Sequence, residues 1–236
     1  PKLGSDKFYR LNQARQKEGY FVYVPEGLSI PKPIEVFNWV SGKDSAIFPY
    51  NLIVSDKGSE VSVAEYVASA DDQFGLVCGV SDLIAEDDSK LTYVRTQNLS
   101  EKAHSIQLSN VLSHNNSKVK NFSLNLGCEW LRHESVSRLL GKGAHSEMIS
   151  VSVPESSQEF DMRTLQLHEK PSTSSDLLYK NALYDESKTT FAGMIKVEEG
   201  VYEALEVDYI ESENHKGRSR PGSFVFSMGK TFGYYC

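Results

Sequence analysis

A polar turn recurs along this chain at a nearly constant interval, and that recurrence narrows the available folds more than any other feature. The turns read Lys57-Gly58-Ser59-Glu60-Val61, Asp87-Asp88-Ser89-Lys90-Leu91 and Asn115-Asn116-Ser117-Lys118-Val119, with a looser Lys142-Gly143-Ala144-His145 after them. Counted from Ser59 through Ser89 and Ser117 to Ala144, the intervals are 30, 28 and 27 residues. A short β-prone run follows each turn: 61–67, 91–96, 119–126 and 148–153. Strands and turns at a fixed period, with almost no helix, are the pattern of stacked coils, in which each coil needs its neighbours to cover its apolar face. The expected architecture is therefore all-β, a β-solenoid. A β-sandwich is the alternative, with similar strand spacing but no need of a fixed repeat.

Three stretches are expected: a helical lead-in over 1–19, a β-solenoid core over 20–200, and a C-terminal segment over 201–236, the last boundary set by the family resemblance given below. Ser5 to Glu18 reads as an amphipathic helix, capped by Ser5, with Asp6 at its positive end and Gly19 as its left-handed stop. Phe8, Leu11 and Ala14 are its expected inward face. Tyr20 to Val24 and Ile34 to Val40 read as strands, separated by a turn at Pro25-Glu26-Gly27. Further on, Phe160, Met162, Leu165 and Leu167 mark a strand with one buried face. Pro171 and Ser172 to Ser175 end it, because proline cannot donate to a ladder and serine competes for backbone bonds. Phe191 opens the next strand, which closes at Glu198-Glu199-Gly200, and Val151 and Phe191 are expected in the core. Beyond Gly200, Val201 to Tyr209 and Phe224 to Met228 read as further strands, with a basic, Gly/Pro-rich loop over His215 to Gly222.

At 236 residues with 39% hydrophobic and 24% charged residues, the chain is long enough to bury one sizeable core. A net charge of −7 argues against nucleic acid as a partner, since phosphate binding needs a basic face. No run is long enough to span a bilayer and no signal peptide opens the sequence, so the expected compartment is cytoplasmic, without a membrane partner. Val40-Ser41-Gly42-Lys43-Asp44-Ser45 lacks the second glycine of a pyrophosphate loop and reads as a plain turn. Neither Gly229-Lys230-Thr231 nor Gly141-Lys142-Gly143 completes a phosphate loop. Catalytic residues are not apparent, and the chain is expected not to be an enzyme. For metal, Cys128 and His133 are the weak candidates, five residues apart. Cys78 and Cys128 otherwise read as small buried hydrophobes. Asp161 and Arg163 share one strand face, which keeps open a carbohydrate-binding or carbohydrate-active β-helix as the alternative function.

FSLNLG (122–127), Arg132, LLGKGA (139–144), His168-x-x-Pro171-x-Thr173-Ser174, Leu178-Tyr179-Lys180, Phe191-x-Gly193 and Lys196-Val197-x-x-Gly200 together resemble the SufB/SufD family of iron–sulfur cluster assembly proteins, and SufD more than SufB. GYFVYVPEGLSIPKPIEV (19–36) is similar to that family's opening strands. The resemblance implies a right-handed parallel β-helix and a non-catalytic scaffold subunit of a SufBCD-type complex. Its partners would be a SufB-type β-helix subunit and a SufC-type ATPase, with self-association into a homodimer also open. The motif positions Gly127, Arg132, His168, Pro171, Ser174, Lys180, Phe191 and Gly193 are expected to be structural. No cofactor is expected on the chain alone, a transient iron–sulfur cluster belonging to the complex. The family's assembly cysteines and histidines, and its helical C-terminal region, would follow Gly200, where this sequence departs from the pattern.

Overall fold

The computed structural model describes residues 6–42, 44–70, 72, 74–215 and 218–228. Among them the order is α1 (Asp6–Arg15), β1 (Phe21–Val24), β2 (Ile34–Val40), β3 (Ser45–Ile47), β4 (Tyr50–Ser55), β5 (Glu60–Ser69), β6 (Gly75–Ala85), β7 (Lys90–Asn98) and β8 (Ala103–Ser113). It continues with β9 (Lys118–Asn125), β10 (Trp130–Leu139), β11 (His145–Ser152), β12 (Glu159–His168), β13 (Ser174–Tyr184), β14 (Lys188–Val197), β15 (Leu205–His215) and β16 (Arg218–Met228). The strands form two parallel sheets. One runs β1-β4-β6-β8-β10-β12-β14-β16, with β3 beside β6, and the other runs β15-β13-β11-β9-β7-β5-β2. From β4 onward successive strands alternate between the sheets, so the chain winds as a parallel β-solenoid. The sandwich alternative is excluded, because every strand pair is parallel.

The winding period is the turn period. In the second sheet Val61 pairs with Leu91, Leu91 with Val119 and Val119 with Ser146, steps of 30, 28 and 27 residues. The turns themselves stack. Gly27, Gly58, Asp88, Asn116, Gly143, Ser172 and Glu203 occupy one corner, all with φ between 52° and 72°. Glycine meets that left-handed requirement without penalty, and Asp and Asn tolerate it better than other side chains. The amides of Gly27, Gly58, Asp88 and Asn116 donate to the carbonyls of Lys57, Asp87, Asn115 and Lys142, each one coil further along. The small residue that follows seals the turn from inside: Ser89 and Ser117 donate to the carbonyls of Glu86 and His114 at 2.6 and 2.8 Å.

Helix α1 lies on the outside of the first sheet, where Phe8 and Tyr9 pack on Cys78, Val80, Ile106 and Leu108. Its buried residue is Asn12, whose Nδ2 donates to the carbonyls of Pro49 and Cys78 at 2.9 and 2.8 Å. The expected inward face is thus corrected: Leu11 and Ala14 are exposed. The helix also ends earlier than Glu18, and Ser5 lies outside the described residues. Gly19 is not the helix stop. It is needed because a Cβ there would sit 1.9 Å from the Tyr50 carbonyl oxygen.

Two further expectations change. Val151 is half-exposed on the outer face of β11, while Ser146, Met148, Ser150 and Ser152 point inward. The stretch read as a loop over His215 to Gly222 is strand on both sides of residues 216–217. From Arg218, β16 pairs with β14, and the register shifts between Thr190 and Ala192, where Pro221 and Gly222 intervene. Parallel pairing to an existing edge outweighs the local turn preference there.

Candidate functional site

The interior is apolar towards its corners and polar along its middle. Val24, Ile53, Leu83, Leu91 and Val111 belong to one apolar cluster, and Val67, Leu99, Cys128, Leu131 and Phe160 to another. Between them the register stacks Glu65, Arg95, Ser123 and Ser150 in one sheet. The facing sheet stacks Gly79, Gln107, His133 and Met162. All eight side-chain positions are buried. The polar column ends against Tyr179 and Phe191, whose rings meet edge to face at 5.2 Å, with Met148, Met162 and Leu177 around them.

Glu65 and Arg95 are each 2% exposed, and they set the electrostatics of this column. The Glu65 carboxylate accepts from Asn38 Nδ2 at 2.6 Å, from Asn51 Nδ2 at 3.0 Å and from the Tyr93 hydroxyl. Arg95 Nε lies 3.9 Å from the same carboxylate. Burial, and then the nearby carboxylate, push the Tyr93 phenol well above its ordinary range, so it stays a donor. His133 is fully buried, and burial together with the Arg95 charge lowers its pKa to about 3, which keeps the ring neutral.

Cys128 is buried in the left-handed region at φ 78°, and burial pushes its thiol up to about 12. Cys78 is raised to about 11 for the same reason. A soft metal or sulfane sulfur needs thiolate, so at neutral pH both thiols are poor ligands and poor nucleophiles. Among the described residues no group of three or more His, Cys, Asp and Glu side chains is placed to hold a metal ion.

The remaining motif positions have visible physical roles. A Cβ on Gly127 would sit 2.0 Å from the Leu99 carbonyl oxygen, so the coil-to-coil approach at that corner requires glycine. His168 is buried, with Nδ1 2.7 Å from Thr173 Oγ1 and Nε2 3.0 Å from Ser175 Oγ, spanning the turn that holds Pro171. Burial lowers its pKa to about 4. Ser174 Oγ is 2.8 Å from His145 Nδ1 of the preceding coil. A Cβ on Gly193 would meet Phe191 Cε1 at 2.9 Å, so that glycine makes room for the ring. Lys180 is exposed on the outer face of β13. Arg132 projects outward, donating through Nε to Glu134 at 2.8 Å and through Nη1 to Asp161. Asp161 also accepts from Arg163 at 3.3 Å, so the pair weighed for sugar chemistry is tied into an ion network. Sequence reasoning missed Glu65, Arg95 and the polar column. Their signal was inward serine and asparagine set against outward Phe122, Leu124, Ile149 and Val151. Lys43 and the Gly229-Lys230-Thr231 stretch lie outside the described residues.

Residues 38–205 match the family described as SUF system FeS cluster assembly, SufBD core domain. The chain belongs to the SufBD family. The match runs from within β2 to the start of β15, so the family core covers most of the solenoid, with β1 and β16 outside it. Among curated proteins, an iron–sulfur cluster assembly SufBD family protein of Staphylococcus saprophyticus is 25% identical over 191 residues, covering 80% of this chain and 41% of the relative. The corresponding proteins of Staphylococcus epidermidis and Staphylococcus aureus are 25% and 24% identical over the same length. The chain therefore spans about two fifths of the length of the relatives it matches.

Proposed function

We propose that this chain is a non-catalytic scaffold subunit for iron–sulfur cluster assembly, working in the cytoplasm beside a SufB-type β-helix subunit and a SufC-type ATPase. The carrying observation is that the SufBD core lies within a parallel β-solenoid whose two described cysteines are buried and held protonated. Such a solenoid supplies position and strand edges, while thiolate chemistry falls to other residues or to the partner. The cluster is then cargo of the complex. The ion network around Asp161 leaves little support for the carbohydrate reading. Among the described residues no helix is long and apolar enough to cross a membrane.

A pull-down against the SufB-type and SufC-type proteins of the same organism tests the proposal. Retention of the SufB-type subunit is expected, with the ATPase held weakly, because the sequence departs from the family pattern after Gly200. Retention of neither protein would overturn the scaffold role. Tight capture of the ATPase alone would move its docking surface into the solenoid.

A further inference from the structure

The middle of the rod holds a set of buried polar atoms that no protein group satisfies, and they cluster at Arg95. Nε, Nη1 and Nη2 of that side chain have no hydrogen-bond partner, Nε only approaching Glu65 at 3.9 Å. Gln97 Oε1, Ser105 Oγ, Asn125 Oδ1 and both ring nitrogens of His133 are likewise buried and unpartnered. The register makes them neighbours. Gln97 follows Arg95 by two residues on the same inner face and pairs with Asn125 of the next coil. His133 stacks on Gln107, one inward position from Ser105 in the facing sheet. The Arg95 charge is felt at Cys128 and His133 as well as at Tyr20 and Tyr93, so it lies among the groups of both sheets.

Leaving a guanidinium edge, an amide oxygen and an imidazole all unmet in a dry interior costs far more than a natural fold sustains, since each such group alone carries its full desolvation penalty. A group that met all of these atoms would have to both donate and accept: Arg95 offers only donors, Gln97 Oε1 and Asn125 Oδ1 only accept, and Ser105 does either. A small anion meets the first need and not the second. It would also bring a second negative charge beside Glu65, which already neutralises Arg95. We propose that Arg95, Gln97, Ser105, Asn125 and His133 enclose a cluster of ordered water molecules that joins the guanidinium to the imidazole and forms part of the folded core. Buried waters of this kind typically make two to four hydrogen bonds and are costly to remove.

A crystal structure of the whole chain, grown with bromide replacing chloride, tests this directly. The expected result is ordered solvent density within hydrogen-bonding distance of Arg95 Nη1 or Nη2 and of one His133 ring nitrogen, without anomalous signal. An anomalous bromide peak at the guanidinium would replace the water cluster by an anion site. Side chains closed on Arg95 with no density between them would overturn the proposal outright. In solution, His133→Phe gives an independent reading. With water bound, the substitution removes satisfied bonds, and Tm stays level or falls by roughly 2–4 °C. In a dry interior it relieves an unmet polar group, and a clear rise in Tm refutes the cluster.

Discussion

Phe191→Ala is the sharpest test of where the core of this solenoid lies. Phe191 is 4% exposed and closes the far end of the polar column, packed with Met148, Met162, Leu177 and Tyr179. Truncation removes a buried ring and its edge-to-face contact with Tyr179, and Gly193 beside it has no side chain to relax into the space. Buried Phe→Ala changes cost about 3–5 kcal/mol, of which an aromatic pair contributes about 0.5–1.5. For a chain of this length that corresponds to a Tm lowered by roughly 6–20 °C. Stacked repeats are coupled mainly to their nearest neighbours, so hydrogen exchange should loosen first in β13 to β16 and leave β4 to β8 protected. Val151→Ala is the matched control: an outward, half-exposed residue whose truncation costs about 1 kcal/mol or less. Thermal unfolding followed by far-UV circular dichroism reads both. Equal losses in the two variants would refute the assignment of inside and outside on which the polar column depends.

Three further outcomes follow from the buried groups. Stability should fall as pH drops from about 6.5 towards 4, because His168 and His133 have folded pKa values of about 4 and about 3. The unfolded chain binds those protons first, giving up to about 2.7 kcal/mol lost per pH unit while both histidines titrate only when unfolded. Urea midpoints across that range measure the slope, and His168→Gln should roughly halve it. Cys78 and Cys128 should resist a thiol-alkylating reagent at neutral pH and react after denaturation; rapid labelling of either in the native chain would contradict their burial and raised pKa. Asn12→Ala should remove one donor from each of the Pro49 and Cys78 carbonyls, the Pro49 oxygen keeping the Val80 amide, at a cost of about 0.5–1.5 kcal/mol per bond, and release α1 from β6, seen as faster exchange of its amides with the β-signal unchanged.

The coil period was legible because a turn in the left-handed region must be built from few residue types, and Gly58, Asp88, Asn116 and Gly143 show through the sequence at their spacing. The strands of 61–67 and 91–96 were legible for a related reason, Val61, Val63, Val67, Leu91 and Tyr93 facing inward in the ordinary way. In β9 and β11 the alternation is inverted: Asn121, Ser123, Ser150 and Ser152 face in, and Phe122, Leu124, Ile149 and Val151 face out. Period-2 patterning reports two faces without saying which is the interior, so Val151 was placed on the wrong one. The face of α1 was missed because its anchor is a polar residue, Asn12, that earns burial only through carbonyls far along the chain. Glu65 and Arg95 were missed for the same reason. Their pairing exists only after 30 residues have closed one coil.

The all-parallel register gives this rod a direction. Among the described strands, β1 and β2 stand outermost at one extremity and β15 and β16 at the other. These two edge sets are not equivalent: each has the ladder phase the other lacks, as any cross-section through the rod would show. Like extremities can meet only with their strands antiparallel, across a two-fold axis, which consumes both edges and stops at two chains. Unlike extremities can continue the ladder in register, and such a contact never closes, so it propagates into a filament. The polarity of the winding thus separates a terminating mode of assembly from a runaway one, and whatever caps one extremity decides which of them the chain can enter.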